Sequence, residues 1–275
     1  MFKPFVLLRR SLVILAGFVL IPMPSAFAAL CATLQEGPSG RVVAVSDGDT
    51  LDLDTGVTVR LVGIQAPKLP LGRPNFEAWP LGEESRQALV DMVMGETVTL
   101  HYGGERRDRN GRALAHLSFE GADGEVWVQE AMLEAGLARV YSFPDNRSCL
   151  AELYAAEGRG RVEGRGMWRH PEYALRRADR PELLLDREGE YELVEGRVLT
   201  AARAGSMVYL NFGRYWREDF TVVIAPAGQR AFEQAGIDPL ALEDQLIRVR
   251  GWIEIHDGPR VEVTHPEQIE VLGIR

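Results

Sequence analysis

The stretch from Asp47 to Lys68 constrains the fold most, because it places charged residues among strand-forming apolar residues. Its sequence is DGDTLDLDTGVTVRLVGIQAPK. Its alternating and continuous apolar positions predict an antiparallel meander of three strands, with the Asp54–Gly56 turn between the second and third. The three predicted strands are 40–45, 50–53 and 57–64. Asp49 and Arg60 would then be held on a rigid sheet beside Gly48. Such an arrangement is typical of a phosphate or metal site at the start of a small barrel.

A second arginine lies in a turn further along the chain. Arg112 directly follows Asn110-Gly111 and opens another apolar run, which predicts a hairpin that places Arg112 at a strand start. Two arginines would then face one anion. The loop before it contains Arg106, Arg107 and Arg109, which either steer phosphates toward Arg112 or form a solvated hairpin tip.

These motifs resemble the thermonuclease (staphylococcal nuclease) family over about residues 40–168. Asp47-Gly48-Asp49-Thr50 matches the family's DGDT, Arg60 opens the RLVGI strand, and Asp108 to Arg112 match the second signature. The resemblance implies an OB-type five-stranded barrel with packed helices. It also implies that Asp49 is a Ca²⁺ ligand and that Arg60 and Arg112 are catalytic, holding the scissile phosphate.

Two positions depart from the family pattern. Where the family reads Asp-x-Pro-Glu, this chain reads Gln65-Ala66-Pro67-Lys68. The change removes one calcium carboxylate and puts Lys68 at the position usually assigned as general base. The amide oxygen of Gln65 and the carbonyl of Ala66 are the expected remaining metal ligands. The base would have to be an acid of the adjoining loop, such as Glu77, Glu83 or Glu84, or a metal-bound hydroxide.

The first 28 residues are typical of a signal peptide. Lys3, Arg9 and Arg10 precede an apolar run over 12–21, and Ala26-Phe27-Ala28 is a small-x-small cleavage signal. The alternative is an uncleaved anchor, but the run is shorter than the roughly 20 residues that span a bilayer. We therefore expect a secreted or periplasmic protein with no membrane attachment after cleavage.

Export and composition restrict the partners. The chain has 31 Lys and Arg against 40 Asp and Glu, and losing the three basic residues of the signal peptide takes the net charge from −9 to −12. Any nucleic-acid site must therefore be local, because binding to phosphate needs local positive charge. The two cysteines, Cys31 and Cys149, would form a disulfide in an oxidising compartment; the alternative is two unpaired thiols.

The rest of the first domain is predicted to alternate helices and strands. An irregular loop with three prolines spans 69–80. Tyr141 and Phe143, in a short strand, either stack on a base or complete the core. Arg109 is a further candidate for substrate binding. The predicted elements are a helix from Gly82, strands 97–102 and 113–119, and helices 126–137 and 147–165.

The chain divides into four parts by composition. They are a signal peptide (1–28), a thermonuclease-like domain (29–169), a linker (170–189) and a C-terminal domain (190–275). The last part has mostly strands and one helix and predicts a second, smaller OB-like barrel, so the fold class is mainly β with helices (α+β). Its phrase LIRVRGWIEIHDGPRVEVTHPEQIEVL resembles OB-type nucleic-acid-binding modules.

The second domain also contains a cluster of rings and arginines. Tyr209, Phe212, Tyr215 and Trp216 are interleaved with Arg214 and Arg217. They either bind single strands by stacking or form a docking face for protein.

Two functional hypotheses follow. The first is a secreted phosphodiesterase that hydrolyses nucleic acid with a divalent metal, its activity reduced by the changes at Gln65 and Lys68. The alternative is a catalytically inactive nucleic-acid-binding or envelope interaction protein that kept the nuclease fold. The sequence leaves a protein partner, and the choice between DNA and RNA, open.

Overall fold

A computed structural model describes residues 31–273, so the predicted signal peptide (1–28) lies outside the described residues. Two β-barrels follow each other along the chain. Between residues 31 and 273, no helix combines the length and apolar character needed to cross a bilayer.

The first half of the structure contains eight strands and three helices. The strands are β1 (Gln35–Asp47), β2 (Thr50–Leu53), β3 (Thr58–Leu61), β4 (Gly63–Gln65), β5 (Thr97–Tyr102), β6 (Ala113–Gly121), β7 (Gly124–Trp127) and β8 (Arg139–Tyr141). The helices are α1 (Gly82–Val93), α2 (Val128–Glu134) and α3 (Leu150–Val162).

Five of these strands close into a barrel. The predicted meander β1–β2–β3 is present, and β3 pairs in parallel with β6, which pairs with β5, which returns to β1. The long strand β1 serves two neighbours because its first half pairs with β5 and its second half with β2. Apolar residues that alternate along the strands, such as Leu51, Leu61, Leu100 and Leu117, fill the interior. The predicted OB-type barrel is confirmed.

Several element boundaries differ from the sequence prediction, and the first strand, predicted over 40–45, spans Gln35–Asp47. The third strand ends at Leu61, because Gly63 has a positive φ of 83° and starts a separate strand that pairs with β8. The helix predicted from Val126 begins at Val128, since 124–127 pair with β6 across a turn. The helix predicted from Arg147 begins at Leu150, after Cys149 in a left-handed conformation (φ 62°).

The predicted disulfide is confirmed. Cys31 and Cys149 are bonded, with a Cα–Cα distance of 5.7 Å and a sequence separation of 118. Both cysteines are buried in the first core. The bond joins the segment before β1 to the residue that precedes α3.

Removing this disulfide is expected to destabilise the chain. A crosslink across a long loop restricts the unfolded state, so Cys31→Ser with Cys149→Ser should lower the free energy of unfolding by about 2–4 kcal/mol. Urea denaturation of both forms measures the change. Two titratable thiols in the parent protein purified without reductant would contradict the bond.

The second half contains eight strands and one helix. The strands are β9 (Arg176–Arg177), β10 (Tyr191–Arg197), β11 (Thr200–Ala204), β12 (Met207–Asn211), β13 (Thr221–Ile224), β14 (Leu246–His256), β15 (Gly258–Glu262) and β16 (Ile269–Gly273). The helix is α4 (Pro226–Gln234).

The second barrel repeats the strand order of the first. The antiparallel pairs β11–β12–β13 continue through a parallel β13–β15 pair to β14, which pairs with β10. Strands β10 and β11 together correspond to β1 of the first barrel, because they follow each other directly and pair with different neighbours. Between them, Val198 N donates to Gln245 O on one side and Leu199 N donates to Asn211 O on the other. The helix α4 lies between the third and fourth strands of the ring, as α1 does in the first barrel.

The segment predicted as a linker, 170–189, is packed in the structure. β9 pairs in parallel with β10, and Leu184 lies in the second hydrophobic core. Tyr173 Oη donates to Pro80 O at 2.6 Å, which ties the segment to the proline-rich loop of the first barrel. Separation of the two halves at this segment stays a prediction.

A buried arginine joins the two barrels. Arg250 of β14 is fully buried and contacts Glu157 of α3, with its two terminal nitrogens 3.1 and 3.0 Å from the carboxylate oxygens. It also pairs with Glu270 of β16 and donates to Val140 O of β8 at 3.1 Å. One side chain thus satisfies acceptors from both halves.

Candidate active site

The turn between β1 and β2 holds the two carboxylates of the site. Gly48 has no room for a side chain, because a Cβ there would overlap Ser85 Oγ of α1 and come within 2.7 Å of Ala66 Cβ. Ser85 Oγ in turn donates to Leu137 O at 2.7 Å. The helix therefore presses directly on the turn, and Asp47 and Asp49 are buried beside it.

The Lys68 side chain contacts both carboxylates. Its Nζ lies 2.8 Å from Asp49 Oδ1 and 2.6 Å from Asp49 Oδ2, and 3.5 Å from Asp47 Oδ2. Asp49, fully buried, also accepts from Ala66 N at 2.8 Å and Thr50 Oγ1 at 3.2 Å. Both of its oxygens are therefore engaged with donors of the protein.

The electrostatics of the pair follow from these contacts. Burial alone would raise the pKa of Asp49, but the charges of Arg60 and Lys68 and the hydrogen bonds from Lys68 and Ala66 lower the pKa to about 2. Burial, and then the negative charge of Asp49, raises the pKa of Asp47. Asp49 is the permanently ionised member, because the cations lie closest to it.

Arg60 and Arg112 lie on the outer side of neighbouring strands. Val59 pairs with Ala113 and Arg60 with Leu114, so Arg112 stands one residue before the paired part of β6. Arg60 NH2 donates to Ile64 O at 2.8 Å and lies 3.3 Å from Asp49 Oδ2, and NH1 donates to Leu61 O. The strand pairing thus brings together the two arginines predicted from separate motifs.

Arg112 is held in place by its own turn. Asp108 Oδ2 accepts from Arg112 Nε at 2.7 Å, and Asp108 Oδ1 accepts from the backbone N of Asn110 and of Arg112. The Arg112 side chain is 35% exposed. Arg109, predicted to bind substrate, is exposed at the tip of the same turn.

The oxygen donors do not fit a calcium ion as they are arranged. Gln65 Oε1 is a buried acceptor without a partner, and carboxylate and amide oxygens are ligands that calcium uses. However, the Lys68 ammonium takes the position between both oxygens of Asp49, and Ala66 contributes a donor N–H. Across residues 31–273, no three His, Cys, Asp or Glu side chains gather in a metal-binding arrangement. The calcium prediction stays a prediction.

The acids considered as general bases lie on the loop and helix that follow Lys68. Glu83 pairs with Arg86 on the exposed first turn of α1, and Arg86 lowers the pKa of Glu83 by its hydrogen bonds. Glu77 and Glu84 are exposed. None of the three has a contact with Asp49, Arg60 or Arg112 among the hydrogen bonds of the described chain.

Tyr141 and Phe143 are predicted either to stack on a base or to complete the core, and the structure shows aromatic contacts for both. The Tyr141 ring packs edge-on against Phe143 and against Tyr191 of the second barrel, each at 4.8 Å between centroids. Trp252 Nε1 donates to Tyr141 Oη at 3.2 Å. The structure therefore places Tyr141 in the contact between barrels; whether Phe143, half exposed at its edge, meets substrate stays a prediction. Sequence spacing alone contained no signal for this contact.

A five-stranded OB-type barrel with Asp49 and Arg60 in contact at the β1–β2 turn, and with Arg112 at the start of the strand next to Arg60, defines a nuclease-like protein. Comparison with known proteins agrees. The family model described as staphylococcal nuclease homologue matches residues 58–170. The chain belongs to this family.

Several of its relatives carry nuclease names. An uncharacterized endonuclease of Escherichia coli is 34% identical over 142 residues, which cover 50% of this chain and 80% of that protein. The thermonuclease of Staphylococcus hyicus is 25% identical over 131 residues, covering 46% of this chain and 74% of that protein. Endonuclease YncB of Bacillus subtilis is 29% identical over 136 residues, covering 48% and 62%. These alignments span about half of the chain.

Proposed function

We propose that the first barrel binds the phosphodiester backbone of nucleic acid at Arg60 and Arg112, and that Lys68 supplies the positive charge that this site needs beside Asp49. One observation carries the proposal: Lys68 Nζ lies within 2.8 Å of both oxygens of a fully buried carboxylate. Hydrolysis is then suppressed, because the same lysine stands where the family has its general base.

The balance of charge explains why a cation is needed there. Asp47 and Asp49 would repel a phosphate held by Arg60, since Arg60 itself lies only 3.3 Å from Asp49. With Lys68 in contact with both carboxylates, the four side chains are together neutral. The loop from Glu105 to Arg112, with four arginines and two acids, then adds a local excess of positive charge to an acidic protein.

A second candidate is the active phosphodiesterase with a divalent metal. The unpartnered, buried Gln65 Oε1 favours it, because such an oxygen is costly unless something binds it. This function requires Lys68 to leave Asp49 and an acid to act as base. Calcium-dependent cleavage of DNA or RNA by the unaltered chain would establish it.

Arg112→Ala is expected to weaken binding of a single-stranded oligonucleotide about tenfold, the lower end of what a hydrogen bond to a charged group contributes, because Arg112 is partly exposed and shared with Asp108. The slope of log K against log salt should also fall by about 0.7 for the lost phosphate contact. Fluorescence anisotropy in EDTA measures both values.

The matched control is Arg177→Ala, which removes an exposed arginine paired with Asp179 outside the first barrel. It should leave the affinity unchanged. Binding that disappears in EDTA and returns with calcium would contradict the role given to Lys68.

The proposed location is outside the cytoplasm, secreted or periplasmic. The predicted signal peptide and the Cys31–Cys149 disulfide support it, because such bonds persist in oxidising compartments. Fractionation of cells that express the full chain, followed by N-terminal sequencing of the product, tests both the compartment and cleavage after Ala28.

A further inference from the structure

A cavity of about 390 Å³ opens on the second barrel. Its floor is formed by side chains of β12, β13 and β15, including Tyr209, Asn211, Thr221 and Arg260, and Trp216 forms part of its wall. Ala202 and Ala204 of β11, and His256, Asp257 and Gly258 at the β14–β15 turn, also line the cavity. This volume lies within the range of sites that hold a small organic ring system.

The wall that carries Trp216 is a fixed loop. Tyr215 N donates to Asp219 Oδ2 at 2.6 Å, and the backbone N of Glu218 and of Asp219 donates to Tyr215 O. Gly258, at the β14–β15 turn, lies so close that a Cβ there would come within 2.7 Å of Asp219 O. The loop is therefore held against the turn.

Two large aromatic rings remain in solvent on this loop. Tyr215 is 72% exposed and Trp216 is 58% exposed, although the barrel has a complete core of its own. Exposed rings at the edge of a cavity offer a flat surface on which a base can stack. The polar groups of the floor are loosely bonded, since Thr221 Oγ1 and Asn211 Oδ1 are 3.4 Å apart.

The charges on the loop select among ring-shaped ligands. The Arg217 guanidinium lies 4.9 Å from the centroid of the Trp216 ring, and Arg214 is exposed nearby in sequence. Arg260 in the floor is neutralised by Glu254, with nitrogen–oxygen distances of 2.8 and 3.0 Å. A neutral sugar has no charged group to pair with two arginines, whereas a nucleotide has both a base that can stack on the ring and a phosphate that can pair with the arginines.

We propose that this cavity binds an unpaired base of single-stranded nucleic acid, stacked on Trp216, with adjacent phosphates held by Arg214 and Arg217. A paired base is excluded because it cannot enter a concave site. The site is short, because residues 190–275 contain 9 arginines against 14 acids, a net charge of −5 that opposes a longer track. The proposal shares its class of ligand with the proposed function but rests on separate residues.

The experiment uses the chain from residue 29 onward with Arg60→Ala and Arg112→Ala, so that the first barrel lacks the two arginines assigned to phosphate binding. Anisotropy of a fluorescent ten-residue oligothymidylate should still report binding. Trp216→Ala should weaken it roughly 5- to 150-fold, the measured range for loss of one stacked base, and Trp216→Phe should retain most of it.

The arginines are tested by salt dependence. Arg214→Ala with Arg217→Ala should reduce the slope of log K against log salt by about 1.4, for two single-strand phosphates. The control Arg230→Ala, an exposed arginine of α4 outside the cavity lining, should leave the slope unchanged.

The outcomes separate this proposal from that for the first barrel. If the Arg60→Ala, Arg112→Ala background loses all binding, or if Trp216→Ala binds as the background does, the cavity proposal fails. If that background binds as tightly as the parent, the first-barrel proposal fails instead. A neutral oligosaccharide, chitohexaose, that displaces the oligonucleotide from the background variant would overturn the choice of ligand.

Discussion

The double variant Gln65→Asp, Lys68→Glu should bind calcium and hydrolyse nucleic acid faster than the parent chain. The change replaces a cation that contacts both oxygens of Asp49 by a carboxylate, and adds a second carboxylate where Gln65 Oε1 is now unpartnered. A positioned general base typically contributes about 10²–10⁴-fold to a rate, so the gain is expected within that range.

Stability gives a measurement that does not depend on activity. Without calcium the variant should be less stable than the parent, because Asp47 and Asp49 lose Lys68 and gain like charges nearby. Calcium should then restore it, by about 2.7 kcal/mol when its concentration is 100 times the dissociation constant. Urea denaturation in EDTA and in calcium reports the difference.

Two control variants show which residues cause the gain in hydrolysis. Lys68→Met removes the cation without supplying an acid, so it should lose stability in EDTA without gaining hydrolysis. Arg112→Ala in the double variant should abolish the gain in rate, because the phosphate must still be held. A folded double variant that neither binds calcium nor cleaves faster would show that more than these two residues separates this site from an active one.

The sequence was sufficient to predict that Asp49 and Arg60 lie close together on one sheet. Asp49 lies in the turn between two strands, Arg60 lies on the third strand of the same meander, and the parallel β3–β6 pair places Arg112 beside the strand of Arg60. The role of Lys68 could not be predicted, because its contact with Asp49 depends on how the chain folds back over 19 residues. The sequence indicated only that a base was missing, whereas the structure shows a cation in contact with the carboxylates.

Local signals explain several of the errors in the elements. The pair Asp123-Gly124 is a hairpin signal that favours a strand over 124–127, whereas the helical spacing of Val126, Met132 and Leu133 favours a helix. Strand β11 has a sequence, TAARA, of weak strand propensity, and it is formed by pairing with β12. The partners of Tyr141, Tyr191 and Trp252, lie in the other barrel, so no local pattern predicts these contacts.

Replacing Arg250 should cause the largest loss of stability in the molecule. Arg250→Met leaves Glu157 ionised and fully buried, with its remaining cation, Arg161, 3.7 Å away, and deprives Glu270 of a partner. Breaking a buried ion pair from one side costs about 3–5 kcal/mol, because the carboxylate stays out of water without compensation. Urea denaturation followed by both tryptophan fluorescence and circular dichroism measures the loss.

The matched variant adds Glu157→Gln to Arg250→Met. The amide removes the buried negative charge, and its oxygen can still accept from Val140 N, which donates to Glu157 Oε1 at 2.7 Å in the parent. We therefore expect the double variant to be more stable than Arg250→Met alone, as buried charge rather than lost packing dominates the cost.

Because Arg250 joins α3 and β8 to β14, limited proteolysis within 170–189 should also be faster in Arg250→Met than in the parent, releasing two folded halves. Equal proteolysis rates, with a loss of stability below about 1 kcal/mol, would show that the barrels are held together by other contacts, of which the paired Arg147 and Glu267 are the next to test.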